Sequence, residues 1–143
     1  MAFNYPDIAL QNTIYTPPSK PVQCKSYKLD FSVAGTGATT ATAYTLGYLP
    51  KGAQLVAGNA TVSTAVSGPS VSAATMALAV NTRNYFSGTN VFATGVNNAS
   101  SATYYANFAT VTAADVPITY TLTLTGGTDL TAGVIYINLL YVM

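Results

Sequence analysis

Groups that exchange protons near neutral pH are almost missing from this chain of 143 residues, which has no histidine, no glutamate and four aspartates, Asp7, Asp30, Asp115 and Asp129. Glycoside hydrolysis needs two carboxyl groups roughly 5 to 9.5 Å apart. Asp7 falls in a proline-rich segment and Asp30 in an expected strand, so Asp115 and Asp129 are the couple that folding could bring together. One precedes a strand and the other sits in a loop, where aspartate ordinarily holds a turn through its own backbone. Calcium accepts oxygen ligands such as Asp129 with loop carbonyls, but one carboxylate is thin support. Cys24 is the single cysteine, which excludes an internal disulfide. With no histidine to serve as its base, it reads as a reduced thiol and not as a nucleophile. Gly35-Thr36-Gly37 resembles half a phosphate loop without the lysine and helix that would hold the anion. The expectation is no catalytic residues, no cofactor-binding residues and no metal ligands, hence no enzyme.

Charged residues make up 6% of the chain, against roughly 25% in ordinary soluble domains. Hydrophobic residues make up 50%, a typical share, so what is missing is the charged coat. Threonine, serine, asparagine and alanine replace it, and neutral surfaces of this kind are commonly covered by other subunits. A net charge of +1 with five scattered basic residues argues against nucleic-acid binding, which needs several acting together. No apolar run reaches the roughly 18 residues needed to span a bilayer, so no membrane partner is expected. The first residues, Met1 to Asp7, lack the basic and apolar regions of a signal peptide, and synthesis in the cytoplasm is expected. Asn59-Ala60-Thr61 and Asn98-Ala99-Ser100 match the glycosylation triplet by chance on that reading.

The elements that must position these residues fall into two parts. Residues 1–25 carry Pro6, Pro17, Pro18 and Pro21 and are expected to be extended and irregular. Phe3, Tyr5, Ile8, Leu10, Ile14 and Tyr15 give this arm apolar anchors, suited to lying against another surface or against its own domain. Lys20, Lys25 and Lys28 form a basic group where arm meets domain, placed to steer docking on an acidic partner or simply to be solvated.

From residue 26 to 143 the period is two. Leu29, Phe31 and Val33 alternate with polar residues, Gly35 to Thr42 reads as a loop or weak strand, and Tyr44, Leu46 and Tyr48 form the next strand. Leu49-Pro50-Lys51-Gly52 predicts a type I turn. Val56, Ala60, Val62 and Val66 share one face, with Gly58 marking a bulge or a close backbone approach. Ala74, Met76, Leu78 and Val80 alternate with small residues, and residues 81–101 read as a long loop with at most short strands. Strands are expected over 104–109 and from Ile118 to Leu124. The segment from Val134 to Val142 is apolar on both faces except at Asn138, as for a strand central in its sheet or covered outside. Without a helical stripe, the fold class is all-β: an antiparallel β-sandwich, with the jelly roll as first choice. Eleven tyrosines and no tryptophan suit protein interfaces or sugar stacking.

Leu49-Pro50-Lys51-Gly52-Ala53 before a valine-rich strand, Thr119 to Thr125, and Asp129-Leu130-Thr131-Ala132-Gly133 before a last strand ending in Tyr141-Val142 together resemble head-decoration (cement) proteins of tailed bacteriophages. The resemblance covers most of residues 27–143. It implies a jelly-roll domain on the capsid exterior of the virion, a homotrimer, and an extended arm clipping the major capsid protein. The expected function is capsid decoration and stabilisation. The rivals are a carbohydrate- or receptor-binding head of a fibre or spike, and a filament subunit whose arm donates a strand to the next copy.

Overall fold

The computed structural model describes residues 21–81, 83–98 and 112–143. They form eight strands: β1 (Gln23–Asp30), β2 (Ala43–Leu49), β3 (Gln54–Ser67), β4 (Ala73–Val80), β5 (Arg83–Asn90), β6 (Gly95–Asn98), β7 (Val116–Thr125) and β8 (Ala132–Val142). Their order is β1-β8-β3-β6 in one sheet and β2-β7-β4-β5 in the other, with every pairing antiparallel. The first strand thus pairs with the last, the second with the seventh, the third with the sixth and the fourth with the fifth. That is a long hairpin rolled on itself, the jelly-roll form of the β-sandwich.

Alternation places the core between the sheets. Ile135, Ile137 and Leu139 of β8, with Leu55, Ala60 and Val62 of β3, meet Met76 and Leu78 of β4 and Ile118 and Leu122 of β7 in a single cluster. Each of these is at most 2% exposed, so the middle of the sandwich is dry. Among the described residues no charged side chain is buried. β8 is central, flanked by β1 and β3; its odd positions from Gly133 to Tyr141 face the core and its even positions face outward.

Several local expectations change. The expected strand through Val33 stops at Asp30, whose carboxylate accepts from the backbone N–H and hydroxyl of Ser32, and Val33 is turned out to solvent. β1 begins at Gln23, inside the stretch read as arm. The turn after β2 is shifted by one residue: Ala53 N–H donates to Pro50 C=O and Gly52 takes φ 86°. Positive φ at the third position is the demand of a type II turn, and glycine meets it. Bulges between Thr45 and Gly47 and between Leu55 and Ala57 reverse the alternation there. Leu49 and Leu55 therefore point inward, and Tyr48 and Val56 point outward. Gly58 is a close approach, since a Cβ there would lie 2.9 Å from Leu139 Cδ2. Residues 81–101 hold more than loop: β5 has eight residues and buries Tyr85 and Phe86. The polar composition of β5 hid it, because an edge strand needs few apolar side chains. The strand expected over 104–109 lies outside the described residues.

Candidate interaction surfaces

Each described aspartate has a local structural task. Asp30 binds Ser32 and pairs with Lys28 at 3.2 Å. Asp115 accepts the backbone N–H of Lys51 at 2.8 Å and so holds the β2–β3 turn. Asp129 accepts the hydroxyls of Thr39 at 2.6 Å and Thr128 at 3.0 Å, tying the loop after β1 to the loop before β8. Asp115 and Asp129 flank opposite ends of the ten-residue β7, which separates them by about 30 Å at the rise of a strand. The couple left open by the sequence is not a couple in space. No group of three or more metal-ligating side chains occurs among the described residues.

Hydrogen bonding to Ser32, with Lys28 alongside, holds the Asp30 carboxyl below the usual aspartate value, and the Thr39 and Thr128 hydroxyls do the same for Asp129. A folded-state value below the unfolded one means that the stabilisation is present above about pH 4 and is lost as pH falls through the folded value. Acid unfolding followed by circular dichroism should therefore begin below about pH 4, and the Thr39→Val variant should lose less stability over that window than the parent. Identical acid profiles for the two proteins would show that the Asp129 contact does not contribute.

A cleft of about 570 Å³ lies between the loop from Phe31 to Thr39 and the turn at Asp129 to Thr131. Asp129 is the one charged side chain lining it, and both its oxygens are engaged. Behind the cleft, Tyr44 stacks on Tyr120 with ring centres 5.4 Å apart, and the Tyr120 hydroxyl donates to Gly37 C=O at 2.6 Å. These contacts fasten the loop to the sandwich.

The outer sheet faces carry more. On β2-β7-β4 the outward positions are Ala43 and Thr45, then Thr119, Thr121 and Thr123, then Thr75, Ala77 and Ala79, in register and without charge. β-branched hydroxyl residues suit the strand and enter a contact at little desolvation cost compared with a charge. On β1-β8-β3 a ladder of side chains crosses the outer face: Ser26 Oγ donates to Asn138 Oδ1 at 2.7 Å, and Asn138 Nδ2 donates to Asn59 Oδ1 at 3.1 Å. To one side of the ladder lies Tyr136, 41% exposed; to the other lie Leu140 and Val142 beside Ala57. A small dent of about 250 Å³ is lined by Ala57, Gly58, Asn59, Asn138 and Leu140.

Among the residues expected to bind a partner, Phe3, Tyr5, Ile8, Leu10, Ile14, Tyr15 and Lys20 lie outside the described residues. Lys25 and Lys28 are both on β1 but on opposite faces: Lys25 is in register with the buried Leu139, and Lys28 with the exposed Tyr136. Lys28 is also committed to Asp30, so the two lysines do not form one basic patch. Lys25 on the inward side of an edge strand is a device that discourages edge-to-edge pairing. Sequence reasoning missed the apolar end of the β1-β8-β3 face. The run of apolar residues at both parities in β8 was its one visible signal.

The described fold has a counterpart among solved structures. A chain of the capsid of Ralstonia phage GP4 is similar over 90% of this chain and 88% of its own length, with a TM-score of 0.52 and 18% sequence identity. What the two chains share is the fold. At that level the likeness agrees with the resemblance to phage head proteins drawn from the sequence. No family model and no curated protein matches the chain.

Proposed function

We propose that this chain is a non-enzymatic structural protein of a phage virion that decorates the capsid exterior and stabilises it by binding between capsid subunits. The observation that supports this reading is the jelly roll shared, over 90% of the chain, with a chain of a phage capsid. The uncharged outer face of β2-β7-β4 fits the same role, because a surface without charges is cheap to cover. Binding the assembled shell and not its unfolded or dissociated parts stabilises the shell by mass action, and a homotrimer engaging several capsid subunits adds avidity. The arm of residues 1–20 is the part proposed to clip the major capsid protein. The glycan-binding alternative is less favoured: Tyr48 and Tyr136, the exposed tyrosines among the described residues, lie on different sheets and offer no shared stacking platform.

Co-sedimentation with purified empty shells tests the proposal, with molar mass by light scattering to test the trimer. The full chain should bind shells and raise their melting temperature, and deletion of residues 1–20 should weaken attachment at least tenfold. Because the contact faces carry few charges, attachment should persist at about 0.5 M salt, where exposed charge pairs are screened within a few ångströms. A chain that leaves every shell unbound would overturn the function, and a deletion without effect would overturn the role of the arm.

A further inference from the structure

We infer that the outer face of β1-β8-β3 carries an open subsite for an uncharged oligosaccharide, built from the Tyr136 ring and the amide ladder beside it. The subsite lies on the sheet opposite the uncharged β2-β7-β4 face, so it is a second binding capacity and does not depend on the capsid reading. It uses one ring beside a row of amides, not a platform of two rings.

Register lays out the parts. Lys28 of β1, Tyr136 of β8 and Thr61 of β3 stand in one row across the face, and Ser26, Asn138 and Asn59 stand in the next. The rows are about 7 Å apart along the strands, and each reaches about 10 Å across them. Beyond the second row is the dent of about 250 Å³, walled by the amides of Asn59 and Asn138 and by the aliphatic Ala57 and Leu140. Sites that enclose a ligand have roughly 300–1,000 Å³. A ligand here therefore lies across the face with one unit seated in the dent.

The ladder is directional, which leaves donors at its far end. Ser26 Oγ donates to Asn138 Oδ1 and Asn138 Nδ2 donates to Asn59 Oδ1, so each amide is held in one orientation. An amide nitrogen carries two hydrogens. One on Asn138 and both on Asn59 have no partner among the described residues. Donors already fixed in place lose little freedom on binding, and the ladder oxygens keep lone pairs for hydroxyl groups that donate. Tyr136, 41% exposed on the same face, offers an apolar plane to the C–H face of a sugar ring. Charge narrows the ligand class. Among the described residues the charged side chains of this face are Lys28 and Asp30, which pair at 3.2 Å, so the face neutralises itself and matches an uncharged ligand. An extended peptide would need a free strand edge to pair with, and both edges of β8 are already taken by β1 and β3.

Backbone-amide chemical shifts of the full chain test this, with maltotriose, cellotriose and triacetylchitotriose as probes. At least one of the three should cause saturable shifts at Tyr136, Asn138 and Asn59, with a dissociation constant on the order of 1 mM. Tyr136→Ala should weaken that binding at least tenfold, Tyr136→Phe should keep it, and Asn59→Ala should weaken it at least threefold, with circular dichroism unchanged in each. Saturable shifts confined to other faces would overturn the site. Equal binding by the parent and Tyr136→Ala would overturn the role of the ring, and the absence of saturable shifts with all three sugars at tenfold that concentration would overturn the inference.

Discussion

Gly133→Ala should lower stability by on the order of 3 kcal/mol, a drop of about 10 °C in melting temperature for a domain of this size. Gly133, the second residue of β8, has φ 121°, a backbone conformation that side chains rarely adopt. A Cβ there would sit 2.6 Å from Val66 Cα and 2.8 Å from its Cγ1, where the register between β3 and β8 shifts. The same glycine accepts, through its carbonyl, the N–H of Phe31 at 3.0 Å, so any backbone movement to relieve the clash also disturbs the end of β1. Gly35→Ala is the matched control. Gly35 has φ 90° but nothing within 4 Å of the added carbon, so it carries the conformational cost alone, about 1 kcal/mol. Thermal unfolding of the two variants side by side separates strain from collision. Equal losses would mean that the contact with Val66 relaxes at no cost.

Alkaline unfolding should centre on Tyr120. Burial, reinforced by the neighbouring Tyr44, pushes its hydroxyl from 10.0 up to about 12. The raised folded-state value favours the neutral form, so the stabilisation is complete below pH 10 and is lost as pH rises from 10 towards 12. A rise of this size corresponds to on the order of 2 kcal/mol. Tyr120→Phe removes both the titration and the bond to Gly37 C=O. It should therefore be less stable than the parent by about 1 kcal/mol at neutral pH, with the difference shrinking and reversing above pH 10. Parallel stability curves across that range, from urea titrations at each pH, would place the alkaline sensitivity elsewhere. Burial also raises Tyr27 and Tyr85, which broadens the transition in both proteins equally.

How far the sequence could be read depended on how local the physics was. Ala74, Met76, Leu78 and Val80 were legible as a buried face because strict alternation along one strand reports which side the core is on, and β4 has no bulge against β7. Ile118, Tyr120 and Leu122 were legible for the same reason. Val56 was misplaced because a single extra residue at a bulge reverses the alternation there, and bulges are set by the partner strand. β5 was hidden because Tyr85 and Phe86 are its adjacent apolar pair, with Ser87, Gly88 and Thr89 after them, and its bulged pairing with β4 follows no fixed alternation.

The surfaces divide in the same way. The sequence by itself determined that this protein has almost no acid–base side chains, that its strands alternate, and that threonine, serine, asparagine and alanine stand where a charged coat would be, since these are matters of residue type and period. Only the tertiary structure decided that Asp115 and Asp129 lie at opposite ends of β7, that Lys25 and Lys28 face opposite ways, and that Leu140, Val142 and Val56 share one open end of a sheet beside the start of β1. The physical reason is that composition and period act within one strand. Register, bulges and sheet order act between strands far apart in sequence, and they choose which neutral residues become neighbours on a surface.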